Sequence, residues 1–200
     1  MIAEKLKPAE FPRSASYDPE WVLENVMGPN VLWLAESLSE AMELEPGMRV
    51  LDMGCGKAVS SIFLAKEFGV QVWAADLWIA AGENWRRVCE AGMEDLVFPI
   101  HAEAHALPFA EGFDALVSLD AYHYFGTDEL HLGRYFAPLV RHGGQIGIVV
   151  PGLVREFEGD PPEHLASIWA REWECWSFRS PEWWRHHWVK TGLSRSRSPT

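Results

Sequence analysis

The run Arg49-Val50-Leu51-Asp52-Met53-Gly54-Cys55-Gly56-Lys57-Ala58 constrains this chain more than any other stretch. An apolar strand ends on an acidic residue, passes a turn with two glycines and enters a helical pattern at Val59. Gly54 and Gly56 carry no Cβ, so the turn's backbone can approach a ligand closely. The helix that follows offers unpaired N–H groups at its start to a carboxylate or phosphate.

The alternation begun there continues. Apolar runs predict strands at 49–53, 71–75, 96–100, 115–119 and 145–150, with helical patterns at 59–68, 80–91 and 128–140. Gly69 suits the C-terminal cap of the first helix, and Thr127-Asp128-Glu129 suits the start of the last. Strands and helices of this length in alternation predict a mostly parallel, doubly wound α/β sheet covered on both faces. Ahead of it, residues 1–17 read as a loose leader. Asp18 and Asn30 are placed to cap two further helices. The expected organisation is a leader and helical cap over 1–45, a core over 46–152 and a helical, Trp-rich segment over 153–200, all one domain.

Composition narrows the partners. With a net charge of −12, neither a nucleic-acid backbone nor an anionic membrane is expected as the main partner. Three scattered cysteines, Cys55, Cys89 and Cys175, make neither a disulfide framework nor a metal site, and suit a reducing compartment. Cys55 and Cys89 read as small buried residues. Without an apolar signal core or a membrane-length apolar stretch, the expected location is the cytoplasm.

The second strand ends on Asp76, about 20 residues past the glycines, where an acid can accept hydrogen bonds from both hydroxyls of a ribose. A nicotinamide site expects Gly-x-Gly-x-x-Gly. Here the glycine interval differs and Asp52 stands ahead of it, which disfavours a pyrophosphate and favours a ligand carrying an ammonium group. On these residues the chain resembles the class I S-adenosylmethionine-dependent methyltransferases of small-molecule type. Their acid-x-Gly-x-Gly-x-Gly motif is matched at Asp52, Gly54 and Gly56, with Ala58 at the third glycine. Glu103-Ala104-His105-Ala106-Leu107-Pro108-Phe109 is similar to a later family motif. Phe113–Asp120 matches the fourth strand, and Leu139-Val140-Arg141-His142-Gly143-Gly144 the turn into the fifth. The resemblance spans about residues 30–152.

The resemblance implies S-adenosylmethionine as cofactor and direct methyl transfer to a small-molecule acceptor. Asp76 and Leu77 would lie at the ribose, Glu103 and Ala104 at the adenine. Gly54, Cys55 and Gly56 would lie at the methionine part, with Asp52 and Asp120 flanking it. Just past strand four, His123 is the candidate base and Tyr122 a candidate acceptor contact, each read alternatively as packing. Tyr17 is either a lid over the cofactor or a surface aromatic. Trp169, Trp173 and Trp176 recur at helical spacing, as core packing or as an aromatic pocket for a flat or cationic acceptor.

The family's sheet ends in strands six and seven, and neither is legible after Gly152. The polar tail 194–200 lacks strand alternation. These two strands are therefore expected to be missing, leaving strand five as an edge that a homodimer could cover. Two other functions stay open: a non-catalytic S-adenosylmethionine-binding protein and a nicotinamide-dependent oxidoreductase.

Overall fold

The computed structural model describes residues 8–110 and 112–192. Its centre is a five-stranded parallel sheet in the order β3-β2-β1-β4-β5. The strands are β1 (Arg49–Met53), β2 (Gln71–Asp76), β3 (Val97–His101), β4 (Phe113–Leu119) and β5 (Val140–Val149). Helices α1 (Pro19–Asn25) and α2 (Val31–Glu40) precede it. The helices α3 (Val59–Phe68) and α4 (Ala81–Glu90) make the first two crossovers, and α5 (Glu163–Arg171) and α6 (Pro181–Val189) follow β5.

Period-two alternation divides the core. Val50, Val72, Val97, Ala115 and Val117 face the layer made by α2 and α3, whereas Leu51, Met53, Ala75 and Leu116 face the layer containing Tyr122, Phe136 and Trp184. Helix α3 is buried from Val59 through Ala65, so it reads as apolar all round rather than as an amphipathic stripe. Burying Ile62, Phe63 and Leu64 contributes about 2 kcal/mol each. Gly69 ends the helix at φ 65°, its N–H on the Ala65 carbonyl. Asp18 and Asn30 cap α1 and α2 through their side chains, accepting from the N–H groups of Glu20 and Leu32.

The helix expected over 128–140 does not form. A π turn over Leu132–Phe136 runs into a single 3₁₀ turn at Ala137–Leu139. Pro138 lacks an N–H, and its ring would collide with the Arg134 carbonyl in a continuous α-helix. Strand β5 also starts earlier than expected. Its register slips between Phe113↔Val140 and Ala115↔Gln145, so residues 141–144 bulge opposite Asp114, whose carboxylate accepts from the Arg141 guanidinium and the Arg49 N–H.

Among the described residues β5 pairs with β4 alone and no strand follows it. Residues 194–200 lie outside the described residues. No described helix is long and apolar enough to cross a membrane.

Candidate functional site

Strand order reverses between β1 and β4, which is where open α/β sheets place ligands. The turn after β1 and the loop after β4 meet there. Gly54 (φ 75°), Gly56 (φ 53°) and Ala58 (φ 59°) are all left-handed. A Cβ on Gly54 would sit 2.3 Å from the Ala121 Cβ, so this glycine is demanded by chain against chain. Ala58 takes the same conformation with a methyl in place, at about 1–2 kcal/mol of backbone strain. The alanine at the motif's third glycine is therefore a strained residue.

The amides of the turn are largely consumed within the protein. Gly54 and Cys55 both donate to the Ala75 carbonyl, at 2.8 and 3.2 Å. Gly56 donates to Asp76 Oδ2 at 2.8 Å, and Asp76 Oδ1 accepts from the Trp78 and Ile79 amides at 2.7 and 2.9 Å. Asp76 is thereby fixed at the end of β2 with three backbone donors. A carboxylate accepts about four hydrogen bonds, so acceptor capacity remains. Leu77 beside it is half exposed, its carbonyl hydrogen-bonded to His101.

Asp52 is fully buried. Its Oδ2 accepts from the hydroxyls of Ser60 (2.6 Å) and Ser61 (2.7 Å) in the first turn of α3, while Oδ1 has no partner. Burial pushes its pKa up to about 6, against the pull of the two serines. This corrects the expectation of a direct ligand contact: the carboxylate ties β1 to α3 from beneath the turn, and only its unpaired oxygen remains to be satisfied. Cys55 is buried too, and its thiol pKa is raised well above the ordinary value by burial and by Asp52 and Asp76. Cys89 is exposed on α4, contrary to expectation.

After β3, Glu103 turns back on its own loop, one oxygen on the His105 ring (2.7 Å) and the other on the His105 N–H (2.8 Å). Burial raises its pKa, but these bonds outweigh that and lower it. Ala104 is buried beside it. At the end of β4, Asp120 adopts φ 56° and carries a pKa raised to about 6, by burial first and by Glu174 second. Burial, and then Glu174, likewise push the Tyr124 phenol up to about 12.

His123 is buried, Nδ1 without a partner, with Tyr124 at 4.1 Å and Phe178 at 5.6 Å between ring centroids. Burial lowers its pKa to about 4, so the imidazole is neutral at physiological pH. Tyr122 is fully enclosed by Phe125, His131, Phe136 and Trp184. That enclosure corrects its assignment as an acceptor contact: the ring is core. Tyr17 is neither lid nor surface residue, since it is buried on α3 against Phe63 with its hydroxyl on Glu67.

No α5 residue is buried and Trp176, beyond that helix, is exposed, so Trp169 and Trp176 are not core. They line a cavity of ≈ 610 Å³ with Leu153, Phe157, Phe178 and Arg179, within the usual size range for small-molecule sites. Phe178 belongs both to this cavity and to the His123 contact.

Sequence reasoning missed a group that reaches the turn from its flank. Asn84 of α4, 1% exposed, donates from Nδ2 to the Gly56 carbonyl at 2.8 Å. Met27 and Gly28, between α1 and α2, lie over the mouth: a Cβ on Gly56 would meet Met27 Sδ at 3.0 Å, and one on Gly28 would meet Asp120 Oδ2 at 2.8 Å. The Gly28-Pro29 pair was the one local signal of this approach. Among the described residues no group of His, Cys, Asp and Glu is gathered to hold a metal.

Comparison with known proteins agrees with this geometry. The family described as "Methyltransferase domain" matches residues 50–144. Methyltransferase GfsG of Streptomyces halstedii is 32% identical over 117 residues, 58% of this chain and 42% of that protein. The 27-O-demethylrifamycin SV methyltransferase of Amycolatopsis mediterranei is 29% identical, over 58% of this chain and 43% of its own. The chain therefore spans less than half the length of these relatives. Geranyl diphosphate C-methyltransferase from Streptomyces coelicolor, solved with Mg²⁺, geranyl diphosphate and S-adenosyl-L-homocysteine, superposes with a TM-score of 0.66. It is 20% identical, over 90% of this chain and 67% of that one, a likeness of fold. Turn, acid, strand order and family match together make this chain similar to the class I S-adenosylmethionine-dependent methyltransferases.

Proposed function

We propose that this protein transfers a methyl group from S-adenosylmethionine to a small-molecule acceptor. The observation that carries the reading is Gly56 held between Asp76 and Asn84 in a left-handed turn at the switch point of the sheet. In this reading Asp76, with acceptor capacity left, takes the ribose hydroxyls, and Leu77 lies over the ring. Glu103 and Ala104 border the adenine, and the backbone of Gly54, Cys55 and Gly56 runs under the methionine part. Asp120 supplies the carboxylate nearest the ammonium. Asp52 acts from below, keeping α3 on β1.

The cofactor supplies a methyl on a sulfonium, already activated, so positioning the acceptor is the larger part of the catalysis. The acceptor's lone pair forms the new bond to the methyl carbon as the carbon–sulfur bond breaks, leaving a neutral thioether. A proton leaves the acceptor where it carried one. Neutral His123, with Nδ1 unpaired, is the residue we assign to accept it, and Tyr122 backs the loop that holds it. The relatives' names support a small-molecule acceptor, and so does the aromatic cavity beside Phe178. We further infer a homodimer through the edge of β5 that is unpaired among the described residues; light scattering that returns a monomer mass removes it.

Incubation with methyl-labelled S-adenosylmethionine and a metabolite extract tests the function. Label appearing in a small molecule, absent in Asp76→Ala, is the expected result. Cofactor binding with no transfer would instead make the chain a binding protein.

A further inference from the structure

Three side chains, Asn25, Arg87 and Asn84, form a continuous path from the N-terminal cap to the turn. Asn25, the last residue of α1, accepts at Oδ1 from Arg87 Nε (3.1 Å) and donates back to its own helix at the Trp21 carbonyl (2.9 Å). Arg87 Nη1 donates to Asn84 Oδ1 (3.0 Å), and Asn84 Nδ2 donates to the Gly56 carbonyl (2.8 Å). Lys57 closes the loop from the other side, its ammonium on the Glu24 carbonyl at 2.8 Å.

We propose that Asn84 and Arg87 are positioning residues that clamp the N-terminal cap to the Gly56 turn, so that docking of the cap and binding of the cofactor are one coupled equilibrium. Resting on the methyl-donor reading, the proposal adds a mechanism by which the cap senses the site. Gly56 is gripped at both ends of its residue, N–H by Asp76 and C=O by Asn84, so the two peptide planes that meet at its Cα are each held and its left-handed φ and ψ are fixed together. Loss of the buried Asn84 amide takes away the strong donor to the Gly56 carbonyl and leaves the weak Cys55 thiol contact at 3.7 Å. Arg87 is the one member that touches both ends of the path, and it does so with two different nitrogens of a rigid fork. A lysine carries one ammonium on a flexible stem and cannot reproduce that bridge. The cap has a reason to be coupled, because Met27 and Gly28 stand directly over Gly56 and Asp120.

Hydrogen–deuterium exchange of residues 18–28, with and without S-adenosylhomocysteine, tests this on wild type, Asn84→Ala, Arg87→Ala and Arg87→Lys. In the wild type the ligand should slow exchange of the cap. Both Arg87 variants should exchange the cap faster without ligand, lose the slowing, and bind the ligand about tenfold more weakly, a difference of about 1.4 kcal/mol. Asn84→Ala should weaken binding to the same extent, and Asn84→Ala with Arg87→Ala should be no worse than either alone. Cap exchange unchanged in ligand-free Arg87→Lys, or full slowing retained in Arg87→Ala, overturns the clamp. If the wild type takes up no S-adenosylhomocysteine, the methyl-donor reading falls and the coupling with it, while the ligand-free comparison still decides whether Arg87 holds the cap.

Discussion

At the scale of single residues, Asp52 and Asp76 share a residue type and divide the work by environment. Asp76 lies on three backbone donors at the rim; Asp52 lies sealed beneath, half satisfied. A carboxyl whose folded pKa is raised favours the protonated native state. Its contribution is complete below the unfolded pKa, near 3.8, and is lost as pH rises through about 6. Neutral pH therefore costs the fold about 3 kcal/mol at this position relative to the protonated acid. Asp52→Asn cannot ionise. Its melting temperature, relative to wild type, should rise by roughly 3 °C between pH 5 and pH 7.5, about 1 kcal/mol. Parallel melting curves across that range would contradict the assignment. His123 has the opposite sign: its lowered pKa confers stability above about 6.5 that is lost as pH falls through about 4. As a base it is neutral throughout the physiological range, so His123→Ala should slow transfer about 100-fold at every pH from 6 to 8. A rate and profile equal to wild type remove it.

The element scale explains what was and was not legible in the sequence. Strand β1 and helix α3 could be read to the residue, because an unbroken apolar run, a glycine turn and Gly69 all point the same way. The stretch 128–140 could not. Leu132, Phe136 and Leu139 recur at helical intervals and are indeed buried, but they share one face because two short turns dock on the core, with Pro138 forbidding an α-helix. Trp169 and Trp176 left two readings open, since periodicity cannot distinguish a core face from a cavity wall. The places of Asp76 and Asp120 at the strand ends were readable from motif spacing. Asn84 was not: in the sequence it is one polar residue of an amphipathic helix, and its meaning lies in a carbonyl brought to it by the fold. The join of β1 to α3 makes a sharp prediction. Gly54→Ala must fit a methyl into 2.3 Å beside Ala121 at φ 75°, and should lower the melting temperature by roughly 5–10 °C. A shift under 1 °C in a thermal melt would mean that the β4 loop does not rest on this turn.

Across the whole molecule, the candidate site is an assembly of parts that are remote in sequence. The β1 turn supplies the floor, the ends of β2 and β4 the two acids, and the loop between α1 and α2 the cover. The segment after β5 adds Phe178 against His123 and an aromatic cavity behind it. Floor and acids are the parts on which the account depends, and titration calorimetry reads them directly. S-adenosylmethionine and S-adenosylhomocysteine should each bind the wild type one to one, while NAD and NADP give no heat. Asp76→Ala should weaken both ligands at least about 30-fold, equivalent to about 2 kcal/mol for hydrogen bonds to a charged group. Unaltered affinity in a folded Asp76→Ala, or binding of NAD in place of the sulfonium cofactor, would contradict the account.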